Sequence, residues 1–578
     1  MIKVSDYIIK FFENKNIDTA FTVSGGGCIH LIDSLRKSEV IKTYCVHHEQ
    51  SALMASEGYT RETGKVALNI VTTGPGGTNA ITGLLGMWLD SIPGIIISGQ
   101  VPSSQLSKGT GCRQIGDQEF DIIKTVQPCT KYSSIITNSS DLPKELEKAY
   151  NIAKSGRPGP VWIDVPLDIQ GSFIEDVNEI QESVDTNQSV DNSEILELLS
   201  LLGVSKKPLM IVGNGIRLAD SYELLNECLN KLKIPVVTGP HSGVDSVDNS
   251  YEFYSGRIGI LGQITSNQIV QEADLLIIVG SRCPVKMTGY NIKEFSPNSK
   301  KIIIDIDEHE ISKHKFDIDL KINKDLKSVL QNLVNIDFEL SIEDWQNYIL
   351  ETRSKQIYYY PKHYDMQNYM SMYYFTYVMK EYLNDQSIVT SNGTAHVVPL
   401  QMYRLNKNQR LFTNVGCASM GYGLPAAIGA CIGREKQVLC FEGDGSIMMN
   451  LQELQTAKHH DLNIIIFIIN NDGYLSIKMT QESFFEGKMF ASGSDSGVTL
   501  PNYQKIAHAF DIEYFSIRNN QEIEPKLKEI LNFNKLCIVE LFCHPNEKHE
   551  PKVMSKGIDS NGKIIPGSLT DMAITEGF

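Results

Sequence analysis

Val438-Leu439-Cys440-Phe441-Glu442-Gly443-Asp444-Gly445-Ser446 decides the fold. An apolar run that ends at once in a glycine-flanked aspartate reads as a buried parallel strand, Val438 to Phe441. Such a strand delivers Asp444 to its C-terminal end, where ligands of open α/β sheets bind. Gly443 and Gly445 let the backbone approach a ligand closely. A helix expected to open near Asn450 offers unpaired amides and a positive dipole end to a phosphate. A second apolar run, Ile464 to Ile469, carries Asn470-Asn471 to the same sheet edge. Asp444, Asn471 and the Gly473 carbonyl are hard oxygen ligands. They suit octahedral magnesium whose remaining positions are diphosphate oxygens and a water.

Outward from this stretch, short apolar runs alternate with helical patterns along the whole chain. Residues 1–175 carry Ala20 to Val23, Leu68 to Thr72, Ile95 to Ile97 and Val161 to Ile163; residues 193–335 carry Leu209 to Val212, Leu275 to Val279 and Ile302 to Ile306. Residues 371–548 carry Ile388 to Thr390, Val438 to Phe441, Ile464 to Ile469 and Cys537 to Phe542. The pattern predicts an α/β fold of three doubly wound parallel-sheet domains. A polar linker is expected at 175–192, a second around Tyr358-Tyr359-Tyr360-Pro361, and a tail rich in Gly, Lys and Asp at 549–578.

At 578 residues the chain is long enough for about three domains with large cores. A net charge of −16 argues against broad attraction to nucleic acid or to an anionic membrane. The 11 cysteines show no Cys-x-x-Cys pair, so neither a disulfide framework nor a zinc site is expected. Without a signal peptide or an 18-residue apolar run, the reading is a soluble cytoplasmic protein whose N-terminus starts directly into an amphipathic helix capped by Ser5 or Asp6.

The Gly-Asp-Gly and Asn-Asn pair, at this spacing, resembles the signature of thiamin-diphosphate-dependent enzymes, and the chain is similar over nearly its whole length to their acetolactate synthase branch. The resemblance implies a pyrimidine-binding, a central and a diphosphate-binding domain in that order, with thiamin diphosphate and Mg2+ as cofactors. Glu49 opens a helix of small residues in His47-His48-Glu49-Gln50-Ser51-Ala52, and Glu57-Gly58-Tyr59-Thr60-Arg61 follows. This is similar to the family's glutamate motif, which makes Glu49 the carboxylic acid that tautomerises the aminopyrimidine.

Thr72-Thr73-Gly74-Pro75-Gly76-Gly77-Thr78-Asn79 reads as a strand end, a Gly-rich turn and a helix starting near Asn79. The resemblance sets this segment, with Pro75 and Asn79, beside the aminopyrimidine of a partner chain. It puts Gly25 near the reacting carbonyl and Gln118 in the donor pocket, although Asp117 stands where the family has phenylalanine. In Ala418-Ser419-Met420-Gly421-Tyr422-Gly423-Leu424-Pro425, the resemblance makes Met420 the wedge that bends the cofactor, with the Ala418 and Met420 backbones on the pyrimidine edge. Diphosphate contacts are expected from Gly393, Thr394, Ala395, Gly443, Gly445 and Ser446. Here Thr394 and Ala395 replace the family's Gln-His.

The implied reaction decarboxylates pyruvate and joins the two-carbon unit to a second 2-oxo acid. Three departures bear on the acceptor: Thr480 or Gln481 where the family has tryptophan, Leu167 where it has lysine, and the Lys563–Met572 pattern, which looks like relatives that act on a keto-sugar nucleotide. An inactive scaffold is the contrasting class, against which the joint presence of Glu49, Met420, Asp444 and Asn471 argues. The resemblance allows FAD in the central domain, where Gly213-Asn214-Gly215, Gly256-Arg257, Gly280-Ser281-Arg282 and Asp305-Ile306-Asp307 lie at strand ends that could take a dinucleotide. The family shares each site between two chains, which implies a homodimer or homotetramer; a regulatory subunit is left open.

Overall fold

The computed structural model describes the chain except residues 177–190, 240–242, 559, 562 and 576–578. Most of the expected 175–192 linker therefore lies outside the described residues. Three six-stranded sheets, all parallel, organise the rest. The runs singled out by hydrophobicity are their central strands, buried on both faces as parallel sheets covered by helices require. Two apolar cores flank each sheet, one on either face.

The first sheet runs Lys42–Cys45, Thr19–Thr22, Leu68–Val71, Gly94–Gln100, Pro160–Pro166, Tyr132–Ile135. The third runs Leu411–Phe412, Ser387–Thr390, Val438–Gly443, Ile464–Asn470, Cys537–Phe542, Glu513–Ile517. Counted in chain order within each unit, both have the order 2-1-3-4-6-5. The central sheet runs Tyr254–Arg257, Val236–Thr238, Pro208–Val212, Leu275–Val279, Lys300–Ile304, Leu320–Ile322, which is 3-2-1-4-5-6. Each order contains a switch point, where consecutive connections leave in opposite directions and open a crevice at the strand C-termini.

The first and third units meet through two helices, Glu49–Thr63 and Gly423–Arg434. Glycine sets their separation. A Cβ on Gly58 would lie 2.1 Å from the Ala426 carbonyl oxygen, and one on Gly429 would lie 1.8 Å from that of Ala55. The Ala/Gly run after Pro425 therefore serves backbone-to-backbone helix contact. Asn450 ties the same interface: its Oδ1 accepts from Ser51 Oγ at 3.0 Å, and its Nδ2 donates to the Gly421 carbonyl at 2.8 Å.

Some local expectations are corrected. The N-terminal helix is Val4–Asn14, preceded by a two-residue strand, so Ser5 and Asp6 lie inside its first turn and do not cap it. The tail folds back as a structured element. Leu569 is buried against the central unit, and its carbonyl accepts from Asn267 Nδ2 at 2.9 Å. No helix among the described residues is long and apolar enough to cross a membrane.

Because the colliding atom is backbone, Gly429→Ala cannot be relieved by a rotamer change. It should cost about 2 kcal/mol or more in denaturant unfolding. Gly203→Ala, whose Cβ would meet only the Phe338 ring at 3.6 Å, is expected to be neutral or mildly stabilising.

Candidate active site

Asp444 follows the strand Val438–Gly443 and is 1% exposed. Its Oδ2 accepts from the backbone N–H groups of Asn471 and Gly473, each at 3.0 Å, and its Oδ1 accepts from Gly445 N at 2.7 Å. One carboxylate thus clasps the ends of two adjacent strands. Burial pushes its pKa up to about 6, against the pull of those three amides. Gly473 has φ of +113°, and a Cβ there would lie 2.6 Å from the Ser492 carbonyl oxygen, so only glycine fits this turn.

Around Asp444 opens a cleft of about 280 Å³ at the switch point of the third sheet. Gly393, Thr394, Ala395, Met420, Gly443, Gly445, Ser446, Asn471 and Gly473 line it, as the sequence reading grouped them. Gly393 has φ of +64° and caps the helix Thr394–Met402. Ser446 Oγ accepts from Gly421 N at 2.9 Å, and Asn392 Nδ2 donates to the Ser419 carbonyl at 2.8 Å. These bonds lock the Met420 turn to the turns that hold Asn392 and Ser446. Met420 lines the cleft and keeps 37% of its surface exposed, while Ala418, exposed and at φ of +52°, falls outside that lining.

The donor set fits a hydrated cation carrying a diphosphate. Among the described residues no group of three or more His, Cys, Asp or Glu side chains converges on one point. A cation at Asp444 would therefore depend on neutral carbonyl oxygens and on oxygens brought by its ligand. Asn471 Nδ2 points to Thr394 Oγ1 at 3.5 Å, which leaves Oδ1 for a metal. The Gly473 carbonyl accepts from Leu475 N at 3.0 Å and retains its second lone pair.

The helix expected near Asn450 is corrected. A short helix begins at Asp444 itself and the next at Glu453, because Asn450 is buried and spent on the interface with Ser51. Likewise, the helix expected to start near Asn79 starts at Pro75, whose fixed φ suits a first helical turn.

A second cluster sits at the equivalent switch point of the first sheet. Glu49 is 7% exposed at the start of its helix, and its Oε2 accepts from Asn79 Nδ2 at 3.0 Å. A Cβ on Gly76 would lie 3.4 Å from Glu49 Oε1 and 2.7 Å from Thr72 Cγ2; one on Gly25 would lie 2.5 Å from Thr72 Oγ1. Gln118, at φ of +62°, abuts Gly74, where a Cβ would lie 2.4 Å from the Gln118 carbonyl oxygen. Glu49, Gly25, Pro75, Asn79 and Gln118 are thus gathered, yet none of them lines the Asp444 cleft.

Of the strand-end turns in the central unit, Asn214, Gly215, Gly280, Ser281, Arg282, Asp305 and Ile306 line a separate cleft of about 540 Å³ with Arg157. Arg257 does not belong with them. It is 2% exposed and donates to the Leu400 and Tyr403 carbonyls and to Asn249, a role in packing the central unit on the third.

Sequence reasoning missed three polar residues. Ser391 accepts from Gly443 N at 3.3 Å, the Tyr474 ring closes on Gly445, and His549 Nε2 lies 2.9 Å from Thr394 Oγ1. Tyr474 lay within reach, three residues past Asn471. His549, in the tail, carried no spacing signal.

Comparison with known proteins agrees with this geometry. Residues 2–124, 195–333 and 391–541 match the N-terminal TPP binding, central and C-terminal TPP binding domains of the thiamine pyrophosphate enzymes. The chain is 31% identical over 552 residues to the acetolactate synthase isozyme 1 large subunit of Escherichia coli, covering 95% of each. It is 30% identical to the acetolactate synthase large subunit of Lactococcus lactis, covering 97% of this chain and 96% of the relative. The domain matches and this full-length likeness agree: the chain belongs to the thiamine pyrophosphate enzymes, in the acetolactate synthase large-subunit family.

Proposed function

We propose that the chain decarboxylates pyruvate and joins the two-carbon unit to the carbonyl of a second 2-oxo acid. The observation that carries this is a pair of clusters: one buried carboxylate, Glu49, beside the glycine-bearing turn of Gly76, and one buried carboxylate, Asp444, ringed by the turns of Gly393, Gly445 and Gly473. When bound, thiamin diphosphate supplies the electron sink for the pair left as carbon dioxide departs. Glu49 would exchange a proton with the cofactor through Oε1, next to the face kept open by Gly76, while Asn79 fixes Oε2. Asp444, Asn471 and the Gly473 carbonyl would hold Mg2+, and Gly445, Ser446, Gly393 and Thr394 would hold the diphosphate. By the family likeness, Met420 would support the bound cofactor, Ala418 and Gly25 would offer backbone to it and to the substrate carbonyl, and Gln118 with Pro75 would border the donor pocket.

The acetolactate synthase likeness supports a 2-oxo acid acceptor over a keto-sugar nucleotide. The Lys563–Met572 pattern that prompted the latter packs through Leu569 and Met572 on the central unit. Gln481 is occupied as a clasp on Phe490 and Ser492.

For the cleft in the central unit we propose FAD. The cleft lies at a switch point, falls in the size range of cofactor sites, and is walled by Gly-containing turns. Flavin absorbance in the purified protein would establish it.

A second copy supplies the missing half. Met420, Met448 and Met449 are 37%, 42% and 45% exposed beside the Asp444 cleft, and Ile29 and Phe120 are 51% and 40% exposed beside the Glu49 cluster. We propose a homodimer, or a homotetramer built from it, in which Glu49 of one chain faces Asp444 of the other.

Glu49→Gln is expected to lower carbon dioxide release from pyruvate by at least about a hundredfold while thiamin diphosphate still binds. Asp444→Asn is expected to abolish release through loss of cofactor. Mixed and reassociated one to one, the two inactive variants should recover about a quarter of wild-type activity, since half the random dimers carry one intact site of two. Sites built within single chains would recover nothing.

A further inference from the structure

The polar side chain of the phosphate turn is wired from a distant segment. Thr394 lines the Asp444 cleft at the first position of its helix and is 6% exposed. Its Oγ1 lies 2.9 Å from His549 Nε2 and 3.5 Å from Asn471 Nδ2. His549 is 8% exposed, and burial pushes its imidazole down to about 4, so the ring is neutral and carries one N–H. The ring is held on a clamped strap. Before it, Glu547 Oε2 accepts from Met372 N at 2.9 Å; after it, Glu550 pairs with Lys362 at 2.5 Å and His363 at 3.1 Å.

A hydroxyl has two acceptor sites and one proton. The Asn471 amide donates into one site. A diphosphate offers only acceptors, so its presence favours the arrangement in which the Thr394 proton faces the cleft. That arrangement requires the second nitrogen neighbour to donate as well. Resting on the thiamin diphosphate reading above, we infer that His549 is a positioning residue for the diphosphate: as the Nε2–H tautomer it donates to Thr394 Oγ1 and turns the Thr394 hydroxyl proton onto a phosphate oxygen. The turn Gly393-Thr394-Ala395 has no other polar side chain, so this one donor acts with the backbone amides.

The test is a fluorescence titration of the full-length apoprotein with thiamin diphosphate in excess Mg2+, repeated with thiamin as a phosphate-free probe. Wild-type binding comes first; its absence would defeat the functional reading, not this inference alone. Thr394→Val is expected to weaken thiamin diphosphate about tenfold, and His549→Ala several-fold, with thiamin binding unchanged in both. The double variant should be no weaker than Thr394→Val, since His549 acts only through that hydroxyl. Unchanged thiamin diphosphate affinity in His549→Ala, additive losses in the double variant, or an equal loss for thiamin would overturn the assignment. Should His549→Ala fail to fold by circular dichroism, His549→Gln and His549→Met decide. The amide donor should keep near-native affinity and the thioether should not; equal affinities would refute the inference.

Discussion

The Asp444 carboxylate is the constraint on which the site depends. Three backbone amides close on it from its own turn and from the turn after the neighbouring strand. That clasp fixes the spacing of the two strand ends, and the spacing fixes where Asn471, Gly473 and Gly445 stand. The carboxylate sits in a place that penalises its charge, as its raised pKa records. In our reading a divalent cation relieves that penalty, so that the same group organises the turns and anchors the metal.

The two outer sheets share one strand order, and each gathers its cluster at the same switch point. In both, a strand ends in a glycine-bearing turn, and a buried carboxylate stands nearby. The glycine contact between the helices Glu49–Thr63 and Gly423–Arg434 joins these units within one chain without bringing Glu49 into the Asp444 cleft. Two like half-sites that do not meet within a chain are the structural motive for assigning the other half to a second copy.

Much of this was legible in the sequence because parallel strands buried on both faces must be continuous apolar runs, and ligand turns must follow their C-termini. Asp444, Asn471 and the Gly393–Ala395 turn sit at such ends, and with Met420 they line one cleft. Helix starts were less legible. Asn450 reads as an opening helix until its side chain is seen bridging Ser51 and Gly421, an interaction across about 400 residues of chain. Arg257 misled for the same reason, since a charged residue at a strand end gives no sign that three partners from other segments bury it. His549 could not be found from the chain alone, because its relation to Thr394 exists only once the tail has folded back.

Calorimetric titration of the purified chain with thiamin diphosphate, in Mg2+ and again in a chelator, tests the central claim most directly. The account predicts saturable binding of one cofactor per chain with the cation and almost none without it. An absence of heat at saturating cofactor and Mg2+, or binding indifferent to the chelator, would contradict it.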